Sequence, residues 1–209
     1  MHGSGWRRIG LFVFANDFAN LLALAPPAQD GAELEYAWIE DDAGLRAIDA
    51  AAVRDGYRRR FRAMRATLDA GGGVVAGLRE GAPICWQLFE PHRQSSYLWL
   101  HLEAEATAIF SFGGYVTKAW RGGRLLPELS RRAAERFGNA GYRRICSATA
   151  MGNRASIRSH LYRGAGRVGW IAGLRSAGGR ACVASDRGLH CGRYDARHPL
   201  VYRIPPPPA

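Results

Sequence analysis

The sequence predicts a mixed α/β domain, with a mostly antiparallel sheet, one parallel crossover and helices on both faces. Three observations predict it. Extended segments first form a meander in sequence and later alternate with helical ones. The run Ala108–Lys118, Leu126–Asn139, Arg143–Ala150 reads strand, helix, strand, and such a crossover makes its two strands parallel. The chain has 209 residues and is 47% hydrophobic, which is enough apolar side chain for a substantial core.

Each element follows from local pattern. Ile9–Ala25 comes after Arg7 and Arg8, as the apolar part of a leader would. Asn16, Asp17 and Asn20 interrupt it, so it reads as a folded strand or helix. Pro26-Pro27 and Gln29–Gly31 mark a loop, and Leu34–Ile39 a short strand. From Gly44 to Ala70 the spacing of Ala52, Val53, Tyr57, Phe61, Met64 and Leu68 is helical, with arginines on the other side. Gly71–Gly73 end that helix. Val74–Arg79 and Pro83–Phe89 flank a Glu80-Gly81 turn as a hairpin, and Tyr97–Glu103 and Ala108–Lys118 add two strands.

Leu126–Asn139 is an amphipathic helix with an inner stripe of Leu126, Leu129, Ala133, Phe137 and Ala140. Pro127 sits in its first turn, where its missing N–H costs nothing, and Gly141 stops it. Arg143–Ala150 is a strand, and Asn153–Arg163 a short helix with Asn153 as N-cap. Arg167–Leu174 and Ala181–Ser185 form a last pair of strands. Leu200–Ile204 adds an edge, and Pro205–Pro208 a stiff tail. We therefore divide the chain into an N-terminal extension at 1–34, which could also belong to the fold, a main domain at 35–185 and a C-terminal extension with a proline-rich tail at 186–209.

The formal net charge is +11, and Lys118 is the only lysine. Arginine-rich charge of this kind suits phosphates and other anions, or a plain solvated surface. A nucleic-acid partner is not expected, because no helix-turn-helix, zinc or aromatic-basic platform is recognisable. No apolar run is long enough for a membrane span. Cys85, Cys146, Cys182 and Cys191 lack metal-ligand spacing, so no metal site is expected. Cys85 and Cys146 lie in apolar runs. Cys182 and Cys191 could pair in an oxidising compartment, but nothing else points away from the cytoplasm.

The most informative stretch joins the crossover strand to its helix: Trp120-Arg121-Gly122-Gly123-Arg124-Leu125-Leu126-Pro127. A glycine turn into a helix N-terminus offers unpaired N–H groups and a positive dipole to phosphate, and the arginines add charge. An ordinary turn has the same composition. The residues on either side of it make a more specific pattern. Tyr115-Val116-Thr117, the turn, Gly141-Tyr142-Arg143-Arg144-Ile145, Asn153-Arg154-Ala155-Ser156, then His160 to Tyr162 and Gly164-Ala165 occur in the order and spacing of one family. The run Tyr115–Gly169 resembles the GNAT superfamily of acyl-CoA-dependent N-acyltransferases. Arg124 departs from its pattern at a central glycine, Leu126 at a Gly or Ala, and Ala165 at an aromatic.

The resemblance implies a GNAT-like central sheet and transfer of an acetyl or other acyl group from acyl-CoA to a primary amine. The acceptor would be a small molecule or a protein, the enzyme would be cytoplasmic, and a homodimer is a candidate assembly. It implies that the strand Tyr115–Lys118 splays from its neighbour near Ile145, with a backbone N–H near Val116 facing the thioester. Tyr115, Val116, Thr117, Arg121, Gly122, Gly123, Arg124, Leu125 and Asn153 would hold the cofactor. Asn153 also reads as a simple cap.

The family's usual proton-donating tyrosine falls in register on His160, while Tyr162 has the right chemistry two positions on. Both are candidates. Glu103, with Glu105 and His101 close by in sequence, is the candidate general base, or else part of a solvated face. The alternative is a non-catalytic module of the same fold that binds acyl-CoA or a protein.

Overall fold

The computed structural model describes residues 7–24, 34–91, 93–97, 99–122 and 125–205, with the backbone alone for 93–97. The loop read at Pro26–Gly31 and most of the proline tail lie outside them.

Nine strands form the main sheet: β1 (Arg7–Asp17), β2 (Glu35–Ile39), β3 (Gly73–Arg79), β4 (Ala82–Pro91), β7 (Ala108–Val116), β8 (Arg144–Ala150), β9 (Gly166–Arg175), β10 (Arg180–Ser185) and β11 (Gly188–Arg193). Their spatial order is β11-β10-β9-β1-β8-β7-β4-β3-β2. Every pairing is antiparallel except β7 with β8, which is parallel as the crossover requires. A second sheet of β12 (Leu200–Arg203), β6 (Leu100–Glu103) and β5 (Arg93–Tyr97) lies in that order. The described part of the segment read at Ile9–Ala25, up to Leu24, belongs to β1, in the interior of the sheet, and to the short helix α1 (Phe18–Leu22).

The pleat sorts side chains to two faces. On one face, Val75, Phe89, Ile109 and Ile145 pack under α1 and α4 (Leu125–Gly138), which contributes Leu125, Leu129, Ala133 and Phe137. Leu129, Ala133 and Phe137 are the middle of the stripe the helical period predicts; at its ends Leu125 is buried in place of Leu126, which is only half-buried, and Ala140 lies beyond the helix and is exposed. On the other face, Val74, Ala76, Trp86 and Leu88 pack under α2 (Asp42–Arg54) and α3 (Phe61–Asp69). Farther along, Leu11, Val13, Phe110, Cys146 and Ile171 meet Leu100, Leu102 and Tyr202 of the second sheet.

Two readings need correction. The helical run Gly44–Ala70 is two helices, broken at Gly56, which adopts φ 75°. Its apolar period continues across the break because Tyr57 and Phe61 still point to the core, while the buried Asp49 accepts from the N–H groups of Arg60 (2.6 Å) and Phe61 (3.1 Å) and starts the second helix. The strand read as Tyr97–Glu103 is two, with β5 ending at Tyr97 and β6 starting at Leu100. Cys182 and Cys191 face each other across β10 and β11 and form a disulfide. No helix among the described residues is long and apolar enough to cross a membrane.

Candidate functional site

The site is built where two parallel strands part. β7 and β8 pair only from Ala108/Arg144 to Ser111/Ser147. Beyond Ser111, β7 stays with β4, and beyond Ser147, β8 stays with β1. The gap therefore opens after Ser111 and Ser147, and Ile145, expected at the splay, is still paired with Ile109.

A bulge re-aims β7 as it leaves. Its register against β4 slips between Trp86 and Leu88, and Gly113 in the bulge has φ 61°. A Cβ at Gly113 would also meet Leu88 Cδ1 at 3.2 Å. Gly113→Ala is expected to lower unfolding free energy by about 1–2 kcal/mol, read as a lower denaturant midpoint, because a left-handed backbone is costly for an L-residue.

Past the bulge, the backbone direction of Val116 follows from the ladder. The Thr117 N–H donates to the Ile84 carbonyl of β4 at 2.9 Å. Neighbouring residues in a strand point their N–H groups to opposite sides, so that of Val116 turns away from β4 toward the gap. The Val116 carbonyl accepts from Arg121 Nε at 3.3 Å.

Beside the gap is a cavity of about 310 Å³. Val116, Trp120, Gly122 and the first turn of α4 (Leu125, Leu126) line one side; Arg158, Ser159 and Tyr162 of α5 (Arg154–Tyr162) line the other. Gly122 has φ 96°, which turns the chain toward the α4 N-terminus. Gly123 and Arg124 lie outside the described residues. The guanidinium of Arg121 lies over the Tyr115 ring, 5.5 Å from its centroid, and donates to the Tyr115 hydroxyl at 3.2 Å. Tyr115 itself faces the helices, stacked between Tyr57 and Trp86 at 4.3 and 5.0 Å. It donates to Asp55 (2.7 Å), which holds that carboxyl below its ordinary value. Asn153 caps α5 by accepting from the Ser156 N–H at 3.2 Å.

The two candidate proton donors occupy different environments. Tyr162 is 51% exposed and on the cavity. His160 is 7% exposed, stacked on Phe14 at 4.7 Å. Burial, and then the charge of Arg163, pull its pKa down to about 3, so it does not titrate near neutrality as its ordinary value suggests. Arg163 Nη2 is 2.7 Å from His160 Nδ1. Because guanidinium only donates, the neutral ring accepts there and carries its proton on Nε2.

Glu103 is not brought to the gap. It ends β6, beside the turn into β7, and pairs with Arg203 at 3.3 Å. Glu105 at that same closed end pairs with Arg144 at 2.5 Å. Val116 is eight residues up β7, roughly 26 Å at strand rise. His101 is on β6 as well.

Sequence reasoning missed a buried polar network at the point where the strands part. Gln87 of β4 donates to Ser111 (2.7 Å) and accepts from Ser130 of α4 (3.3 Å). Arg163 donates to Ser130 (2.5 Å) and to the Ser159 carbonyl (3.1 Å), and Asn16 of β1 donates to the Arg163 carbonyl (2.7 Å). Ser147 Oγ lies 3.3 Å from His160 Nδ1. Burial lowers the Arg163 pKa to about 10, still leaving it charged. This network ties α4 and α5 to the strands flanking the gap. Its only sequence signal is polar residues inside apolar strand runs, Gln87 between Trp86 and Leu88 above all.

A parallel pair that splays after a crossover, with a bulged strand on one side and a glycine turn at its helix, decides the fold. The chain has the GNAT fold. The comparisons with solved structures agree. A GCN5-related N-acetyltransferase from Kribbella flavida matches with TM-score 0.52 and 17% identity, over 84% of this chain and 61% of that one. The tandem GNAT protein from the clavulanic acid biosynthesis pathway matches with TM-score 0.53 and 16% identity, over 81% and 54%. An aminoglycoside N-acetyltransferase in complex with CoA matches with TM-score 0.51 and 18% identity, over 68% and 91%. The chain spans about half to three fifths of the length of several of the solved structures it matches. No family model matches the sequence, and no curated protein does.

Proposed function

We propose that this GNAT-fold chain is an N-acyltransferase that moves an acyl group, acetyl in the first instance, from acyl-CoA to a primary amine by direct attack on the thioester. The observation that carries the reading is the Val116 N–H turned into the gap beside a cavity bounded by the α4 N-terminus and Tyr162.

The residues suit the co-substrate. The first N–H groups of α4, which a helix leaves without intrahelical partners, and the Gly122 turn would take the pyrophosphate; Arg121, outside the cavity lining and held over Tyr115, would add charge beside them, with Gly123 and Arg124 next in sequence. Thr117 would act only by fixing the strand end, since its N–H donates to Ile84 and its carbonyl accepts from Trp120, and Tyr115 by anchoring Arg121. Leu125 packs the base of the turn, and Asn153 holds α5 in place.

The neutral amine attacks the thioester carbonyl, a C–N bond forms, and the oxygen takes the electron pair. The Val116 N–H would hold that oxyanion. As the C–S bond breaks, Tyr162 would donate its hydroxyl proton to the thiolate and regain one from the nitrogen through water. His160 then serves as a neutral acceptor that positions Arg163 and α5. Ordered water takes the general-base role in place of Glu103. An acyl-CoA co-substrate fits a cytoplasmic setting, while the Cys182–Cys191 disulfide is a bond that oxidising compartments favour.

Acetyl-CoA at one hundred times its dissociation constant is expected to stabilise the fold by about 2.7 kcal/mol, read as a rise in melting temperature. Thiol release with an amine panel then separates turnover from binding. Binding with no release from any amine would favour the non-catalytic module. No thermal shift at millimolar acetyl-CoA would sink the acyltransferase and leave only a protein-binding module of the same fold.

A further inference from the structure

We propose that Arg163 is a positioning residue of the proposed transferase, the brace that holds α5 and its Tyr162 in place against α4. The inference rests on the acyl-transfer reading and gives it a residue behind the cavity wall. Arg163 follows α5 directly and is 5% exposed, the one arginine among the described residues that is buried. No carboxylate pairs with it among those residues. Nε donates to the Ser159 carbonyl, Nη1 to Ser130 Oγ and Nη2 to His160 Nδ1, and all three acceptors are neutral. A buried charge without a counter-charge is costly, and a well-packed apolar side chain is often the more stable choice. Stability alone therefore does not explain this arginine.

Little else holds α5. Of its nine residues only His160 is buried, and Leu161 and Tyr162 are exposed. The His160 ring lies flat on Phe14, 13° from parallel. Such a stack fixes the spacing of two surfaces and leaves one free to slide over the other. The guanidinium removes that freedom, because it is a planar fork whose donors have fixed directions. Nη1 reaches across to Ser130 of α4, while Nε and Nη2 hold the last turn of α5. Asn16 of β1 ties this joint to the sheet by donating to the Arg163 carbonyl.

Both ends of the joint reach the cavity. On α5, Ser159 lines the cavity together with Tyr162. On α4, Ser130 Oγ lies 3.2 Å from the carbonyl of Leu126, which lines the opposite wall. Arg163 thus sets the wall that carries Tyr162 against the wall that would carry the pyrophosphate. A misplacement of about 1 Å can cost about a hundredfold in rate. A little play in α5 would therefore slow turnover long before it unfolded the chain.

The test is a double-variant cycle on thiol release from acetyl-CoA with a chosen amine. Arg163→Lys keeps the charge but gathers its donors on one atom, so the fork is lost. It should lower kcat by about tenfold to a hundredfold and leave KM for acetyl-CoA within about twofold, because the α4 N-terminus stays in place. In a Tyr162→Phe background the same change should cost less than about twofold, since the group it positions is gone. A purely structural role would instead give losses that multiply. Ser130→Ala removes the α4 arm alone and should show the same pattern with a smaller loss; it carries the test if melting curves show Arg163→Lys unfolded. Multiplying losses, a raised KM with kcat unchanged, or full activity in the folded variants would each overturn the proposal. A fully active Tyr162→Phe would overturn it too, since Arg163 would have nothing to position. A parent that releases no thiol with any amine fails the acyl-transfer reading first and this inference with it, whereas an active parent lets the inference fail alone.

Discussion

Tyr162→Phe is expected to lower kcat by about a hundredfold while leaving KM for acyl-CoA nearly unchanged. Positioned proton transfer is worth about 10²–10⁴ in rate, and on the proposed mechanism the hydroxyl would act only as the thiolate leaves. Because Tyr162 is an exposed residue of α5, the change removes one oxygen without opening the core. Steady-state kinetics with a chosen amine would check it, alongside melting curves to exclude unfolding. A kcat within about twofold of the parent would remove Tyr162 from the chemistry. His160→Gln would then be the informative second variant, since it tests positioning from inside the fold.

The second large effect is on stability against pH. His160 has an ordinary pKa of 6.5, lowered to about 3 in the folded chain. Between those values the unfolded chain binds a proton at this site and the folded chain does not. Stability is therefore complete above about pH 6.5 and falls as pH drops toward 3. At pH 5 the loss from this one ring is about 2 kcal/mol. Thermal unfolding from pH 7.5 to pH 5 should show a falling midpoint. His160→Gln, which keeps an acceptor for Arg163, should be less stable at pH 7.5 yet show a flatter pH profile. Parallel profiles for the two proteins would mean that other groups govern acid sensitivity.

The crossover was legible because three independent signals coincide there. Ala108–Lys118 is an apolar strand run, α4 carries a clean helical stripe, and Gly122 and Gly141 punctuate both ends. The Asn153 cap was legible for the same reason, since capping is local chemistry. The division of Gly44–Ala70 was not, because the apolar period survives the break and only Gly56 betrays it. β11 was missed because all six of its residues are exposed and leave no alternation to read. The site divides in the same way. The turn at Gly122 is written in neighbouring residues, whereas the choice between His160 and Tyr162 depends on which face of α5 meets Phe14. Asn16 and Arg163 meet across 147 residues, a separation that no local pattern reports.

The interior position of β1 also governs the order in which the fold can assemble. β2, β3, β4 and β7 pair with strands close to them in the chain and can form their meander as they are made. β1 must wait for β8 and β9, and its contact between Asp17 and Arg144 closes a separation of 127 residues. Closing so long a loop costs entropy before any contact repays it, and such topologies fold slowly. Until β8 arrives, both edges of this apolar strand are unpaired, a template for wrong partners. β1 can therefore take its place only after β8 and β9 are made, and its arrival joins the two halves of the sheet beside the gap.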